Sequence, residues 1–193
     1  MLNLPFPGSR QLIDAIDFAV GQPDAAALTS SLRASLCHFM SSGDVQLPDC
    51  VFVPCAEHYA RRELYRSEEH GYCIVAMTWA PGQGTPIHDH DGMWCVEGVW
   101  HGALDIQQYD LQGHEDERWQ FSAIGSIHAA AGSAGSLIPP HEYHSIRNPS
   151  DDAVTVSLHV YAGPMLRCSV FQPLPDGHGY TRDMRVLGLD RVQ

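Results

Sequence analysis

Between residues 72 and 171 the chain never holds one pattern for long, and that texture leaves few folds open. Short runs rich in β-branched and aromatic residues occupy 72–79, 94–99, 103–109, 119–128, 135–138, 154–161 and 168–171. Breaks fall at Pro81-Gly82, Gly113-His114, Gly132-Ser133, Asn148-Pro149 and 173–175. Many short strands at close spacing, punctuated by glycine and proline, read as an all-β sandwich or barrel. Pro175-Asp176-Gly177 is expected to start a last hairpin or a tail. The first third differs. Leu28, Leu32, Leu36, Phe39 and Met40 recur at helical spacing, as Leu12, Ile13 and Ile16 do more weakly upstream. Gly21, Pro23 and Asp24 separate the two helical segments, and Ser41-Ser42-Gly43-Asp44 closes the second. No repeat, low-complexity tract or linker interrupts the chain, so one domain is expected over 1–193: a mainly helical flank at 1–55, then the β region and a C-terminal tail at 56–193.

Charge narrows the function classes. A formal net charge of −12 argues against nucleic-acid and anionic-membrane partners, both of which ask for a basic face. It suits an enzyme that binds something small, with no obligatory protein partner evident. Six cysteines include no Cys-x-x-Cys pair, the start shows no basic and apolar leader, and no apolar run approaches the ~20 residues of a membrane span. A cytoplasmic protein with reduced thiols is expected. Twelve histidines against eleven lysines and arginines point to metal chemistry, although most of the twelve, taken singly, reflect composition.

His88-Asp89-His90 is the sharpest local feature. In extended chain, residues two apart share a face, so both imidazoles reach one ion while Asp89 turns away. A third candidate, His144, follows Pro139-Pro140 at a strand end. Three neutral imidazoles suit Fe, Zn, Cu or Ni rather than Mg or Ca. Outward from this pair the spacing runs Gly82, five residues, His88, one, His90, four, Cys95, six, Gly102; a second frame runs Pro139, four, His144, three, Asn148. These frames resemble the two spaced motifs of cupins, with Cys95 where most cupins place a glutamate ligand. Without that carboxylate the metal is expected to keep its full charge and open positions, which favours an anionic ligand such as a thiolate.

Further on, Ser157, His159 and Tyr161 alternate with Leu158 and Val160, so the three polar groups share one strand face and can form a hydrogen-bonded relay. Taken with His88, His90 and His144 in order and spacing, they make residues 59 to 171 resemble the cysteine dioxygenase family of thiol dioxygenases. The resemblance implies an all-β cupin-type barrel (jelly-roll) behind the helical flank. It also implies one Fe(2+) per chain on the three histidines and addition of both atoms of O2 to a small-molecule thiol to give a sulfinate. It assigns Tyr161, His159 and Ser157 to the relay, and it matches Cys95 and Tyr161 to a pair that forms a thioether cross-link in the animal enzymes. Tyr59-Ala60-Arg61 resembles the family segment whose arginine binds the cysteine carboxylate. Arg62 takes that place if the register differs by one. Arginine here favours L-cysteine over 3-mercaptopropionate, for which relatives place glutamine. Arg167 complicates that choice, because some mercaptopropionate enzymes use an arginine nearby. Cys168 matches a cysteine near the family's pocket. The remaining alternatives are a cupin isomerase, a ring-cleaving dioxygenase and a non-catalytic metal-binding sensor. The first two leave Cys95 and the Ser157, His159 and Tyr161 row unexplained, and the acidic charge weighs against the sensor.

Overall fold

A computed structural model describes residues 4–191. Two helices come first, α1 (Ser9–Val20) and α2 (Ala25–Ser42). Asp24 caps α2 by accepting a hydrogen bond from the Ala27 N–H at 2.8 Å, and Gly43 closes it in the left-handed conformation. A short 3-10 helix, Asp49–Phe52, leads into eleven strands: β1 (Ala60–Arg66), β2 (Cys73–Trp79), β3 (Ile87–His88), β4 (Cys95–His101), β5 (Ala103–Glu115), β6 (Arg118–Ala130), β7 (Ala134–Leu137), β8 (His144–Arg147), β9 (Thr155–Tyr161), β10 (Arg167–Pro173) and β11 (Tyr180–Val186). No helix among the described residues is long and apolar enough to cross a membrane.

The strands form two sheets. The first has the order β1-β2-β9-β4-β7, and the second closes on itself as β10-β11-β6-β5-β8-β3. Sheet one is buried on both faces, which accounts for its composition. Ile74, Ala76, Val96, Val156, Leu158 and Val160 point outward and pack with Leu12, Ile16, Leu32 and Leu36 of the helices. The intervening residues Cys73, Val75, Met77, Trp79, Cys95, Val99 and Tyr161 point into the barrel. At Gly98 a Cβ would lie 3.1 Å from Met40 Cε, so the bare backbone lets α2 come close. Gly102, at φ 76°, makes the turn from β4 to β5 where a Cβ would lie 2.5 Å from Thr155 Oγ1.

Several elements depart from the sequence expectation. Gly113-His114 is not a break: β5 runs on to Glu115, the pairing with β6 shifts between Leu111 and Gly113, and the turn falls at Asp116, φ 51°. Gly113, at φ 147°, takes up the irregularity as a bulge, so the ladder continues past it. The tail signal at Pro175-Asp176-Gly177 does open a hairpin, with β11 pairing along the whole of β10. Strands β1, β3 and β8 carry too many polar residues, or are too short, to stand out as apolar runs.

Asn148 holds the end of β8 in place. Its Nδ2 donates to the carbonyls of Trp79 (3.0 Å), Ala80 (3.2 Å) and Ala153 (2.9 Å), and its Oδ1 accepts from the Ser150 N–H at 3.0 Å. The residue is fully buried, so truncation strands several carbonyls away from water. Asn148→Ala is expected to lower unfolding free energy by about 2 kcal/mol. The check is urea denaturation, where the midpoint should fall with little change in slope.

Candidate metal centre

Strands β3 and β8 pair antiparallel with His88 opposite His144. The chain then turns so that His90 joins them: ring centroids are 4.4 Å apart for His88–His144, 5.3 Å for His88–His90 and 5.1 Å for His90–His144. One donor nitrogen from each ring lies within 4.8 Å of the other two, and all three residues are buried. Alternation puts His88 and His90 in one strand, but β3 ends at His88. Asp89 shapes the turn beyond it, its Oδ1 accepting from the backbone N–H of Asp91 at 3.2 Å and of Ser169 at 2.8 Å.

The protons of two rings can be placed from their partners. His88 Nδ1 faces the Pro86 carbonyl at 3.2 Å and His144 Nδ1 faces the Glu142 carbonyl at 2.9 Å. A carbonyl only accepts, so these nitrogens carry hydrogen and Nε2 keeps its lone pair, the form that binds a metal. Burial drives His88 down to about 3 and His144 to about 4, and it pushes His90 well below the usual histidine range. His144 Nε2 and His90 Nδ1 are buried with no hydrogen-bond partner. Orphaned buried polar atoms cost about 1–3 kcal/mol each. A transition metal on three neutral imidazoles fits this donor set.

Strand β9 carries Ser157, His159 and Tyr161 on its barrel face, between β2 and β4. Ser157 Oγ lies 2.8 Å from His159 Nε2, and His159 Nδ1 lies 3.3 Å from Tyr161 Oη. Trp79 extends the row, its indole N–H donating to Ser157 Oγ at 2.9 Å. Cys95, opposite Tyr161 across the β4–β9 pairing, has its sulfur 4.0 Å from His159 Nδ1. Burial, then Cys95, lifts the Tyr161 phenol well above its ordinary range, so it stays protonated at neutral pH.

A small cavity of about 20 Å³ is lined by the three histidines, His159, Tyr161, Tyr59, Arg61, Met165 and Cys168, among others. Tyr59 stacks on Trp79 with centroids 4.6 Å apart. Arg61 donates through Nη1 to the Gly188 carbonyl (3.0 Å) and through Nη2 to the Met165 carbonyl (3.2 Å), and its Nε has no partner. Arg62 points the other way, to Thr78 Oγ1 (2.9 Å) and the Val53 carbonyl (2.8 Å), and does not line the cavity. Arg167 is exposed and pairs with Asp91 at 3.0 Å. Burial raises the Cys168 thiol to about 11. Beyond Tyr59, Arg61 and Leu187 lies an open cleft of about 430 Å³ that also includes His58, Arg185 and Asp190. Asp190 ties this rim to β1, its N–H donating to the Arg61 carbonyl at 2.7 Å and its carboxylate accepting from the Arg61 N–H at 2.8 Å.

One acidic residue here has no place in the sequence reading. It is Glu97, two residues beyond Cys95 on β4. Its Oε2 lies 4.0 Å from His144 Nε2 and 3.4 Å from His159 Nδ1, buried and without a hydrogen-bond partner. Burial raises its carboxyl to about 7. The signal lies in the alternation along β4: if Cys95 faces inward, so does Glu97.

Among solved structures, the chain is similar to TT1209 from Thermus thermophilus, at 21% identity over 61% of this chain and 96% of that one, TM-score 0.44. It is also similar to an uncharacterized conserved protein with a double-stranded β-helix domain from Klebsiella pneumoniae (16% identity, 69% and 91% of the two chains, TM-score 0.45). A third likeness is to an RmlC-like cupin protein from Desulfovibrio desulfuricans (17% identity, 57% and 88%, TM-score 0.40). The architecture is the all-β cupin barrel with an N-terminal helical flank. Residues 56–173 match the family described as cysteine dioxygenase type I. A match over more than half of its length places the chain in the cysteine dioxygenase type I family.

Proposed function

We propose that the chain is a cytoplasmic thiol dioxygenase that holds one Fe(II) on His88, His90 and His144 and converts L-cysteine and O2 to cysteine sulfinic acid. One observation carries this reading. A buried guanidinium, Arg61, and a buried phenol, Tyr161, open onto the same small cavity as the three histidines. Iron bound there would favour the thiolate form of the substrate at neutral pH and bring O2 beside the sulfur.

The protein's own groups do the rest. Arginine stays charged at any working pH, and its planar fork matches a carboxylate. Arg61 has spare donors after its two carbonyl contacts, Nε among them, and would anchor the substrate carboxylate next to Tyr59. Trp79 fixes one end of the relay. An indole only donates, so Ser157 Oγ accepts there, and in the proposed relay its own O–H is the donor to His159 Nε2. Burial holds His159 near 3, so its ring carries one proton, which in this relay sits on Nδ1, facing Tyr161 Oη at 3.3 Å and Glu97 Oε2 at 3.4 Å. In that arrangement Tyr161 accepts from His159 and has its O–H available to donate into the cavity, toward the reacting sulfur or oxygen. Both oxygen atoms end on sulfur: one thiol and one O2 make one sulfinic acid, with nothing left over.

The rival substrate, 3-mercaptopropionate, shares the carboxylate and lacks the amine. The carboxylate does not separate the two; cysteine is supported by the family resemblance, in which relatives specialised for 3-mercaptopropionate place glutamine where Arg61 stands, and by the surface placement of Arg167. The proximity of Cys95 and Tyr161 supports a thioether between them, formed with loss of two hydrogens to O2 as oxidant.

His144→Ala is expected to lose iron and thiol-dependent O2 uptake together; metal analysis showing one iron per chain with full activity would refute the ligand assignment. Arg61→Ala is expected to raise KM for cysteine by about 10- to 100-fold while barely changing turnover of cysteamine, which has no carboxylate. Arg62→Ala should leave that ratio unchanged in the same oxygen-electrode assay. After turnover with cysteine and iron, intact mass should fall by two hydrogens in a fraction of the wild-type chains and in none of the Cys95→Ala chains.

A further inference from the structure

Glu97 is an ionisable group buried beside the two imidazoles of His144 and His159. It stands on β4 among inward-facing residues, is 7% exposed, and its Oε2 accepts no hydrogen bond. Glu97 also lines a cavity of about 100 Å³ whose wall includes Val99, Leu104, Ile106, Ala129 and Ser133. Ser157 reaches that cavity too, but its hydroxyl is engaged by Trp79 and His159. A lone buried carboxylate in such surroundings is strongly disfavoured unless a positive charge lies close by. The other orphan within reach is His144 Nε2, 4.0 Å away, the nitrogen whose lone pair faces the metal position. A cation at the histidine cage would engage the His144 lone pair and favour the ionised form of the Glu97 carboxyl at once.

We propose that Glu97 is the charge-balancing carboxylate of the metal centre, standing outside the three-histidine cage beside His144 and His159 and raising the affinity of the site for the ion. It is a positioning residue and does not touch substrate. Its place on the strand matters. Cys95 occupies the position from which other cupins send a glutamate to the metal, whereas Glu97 is one side-chain step deeper on the same face. The charge is retained while the coordination positions stay open for the thiol and O2. The inference rests on the reading that an ion sits on His88, His90 and His144.

The test compares anaerobic Fe(II) binding and the Fe(III)/Fe(II) midpoint potential in wild type, Glu97→Gln, Glu97→Asp and His144→Ala. Glu97→Gln keeps the shape and removes the charge. It is expected to weaken Fe(II) binding by about 10- to 100-fold and raise the midpoint potential. Glu97→Asp, which keeps the charge, should lie nearer wild type on both readouts. Binding and potential unchanged in Glu97→Gln overturn the proposal, as does equal damage in the two variants, which would make Glu97 a packing residue. Two ions per wild-type chain also overturn it, since Glu97 would then belong to a separate site with Cys95 and His159. If Glu97→Gln does not fold, Glu97→Asp decides: iron held within tenfold of wild type supports the proposal, and iron lost from a folded chain overturns it. His144→Ala separates the two readings. Its losing iron while Glu97→Gln does not removes only the role of the carboxylate, whereas its keeping iron removes the three-histidine site itself.

Discussion

The two-residue alternation of the first sheet, buried on both faces, is the constraint on which the rest of this structure depends. Along β9, Val156, Leu158 and Val160 pack under α1 and α2, while Ser157, His159 and Tyr161 face the barrel interior. A slip of one residue would exchange the two sets, pressing a hydroxyl, an imidazole and a phenol into the apolar seam and emptying the interior of its chemistry. The helices therefore do more than cover an apolar face. By making the outer side of the sheet intolerant of polar groups, they pin the register that aligns the relay with Trp79 on one neighbouring strand and with Cys95 and Glu97 on the other.

The same burial leaves the interior incomplete as protein alone. His90 Nδ1, His144 Nε2, Glu97 Oε2 and Arg61 Nε are all shielded from water without a hydrogen-bond partner, and all four belong to residues at or beside the candidate metal cavity. Two others, Arg62 Nε and Glu142 Oε2, belong to residues that do not line it, so orphaned atoms are not confined to the centre. What distinguishes the four is their chemistry. Lone pairs and a carboxylate gather on the inner side and a guanidinium on the side of the outer cleft, the order in which a cation and then an anionic ligand would complete them. Binding that completes a buried polar network also stabilises the fold that presents it.

Much of this is legible from residue order because the controlling signals are local. Seven strand runs, the two helices and the turn between them show as periodicity. Ser157 with His159 and Tyr161 follows from alternation; His88 with His90 is suggested by the same rule, although β3 ends at His88 and a turn brings His90 in. The rest requires either tertiary pairing or the same rule carried further. Trp79 joins the relay only through the β2–β9 register, which sets Met77 opposite Ser157 and is invisible to local pattern. Alternation says that Arg61 and Arg62 face opposite ways without saying which faces the cavity; that depends on how β1 lies against the barrel. Glu97 is different, because the two-residue rule reaches it, whereas the spacing of a known frame stops at Cys95. At Gly113 local pattern points to a chain reversal where the long β5–β6 ladder absorbs the glycine as a bulge.

Cys95 and Glu97 together bear on how such a barrel changes chemistry without changing fold. A carboxylate ligand at position 95 would occupy one metal position and supply one negative charge, two effects tied to a single side chain. Here they are separated along one strand face. The thiol at 95 is small, neutral (burial holds its proton on) and set against Tyr161, so it leaves the metal position free and reaches the relay instead. The carboxylate at 97 lies outside the histidine cage, close enough to act through space on His144 and His159 in a medium where charges are poorly screened. Strand geometry makes this separation available, since a step of two residues keeps the face and changes only the depth.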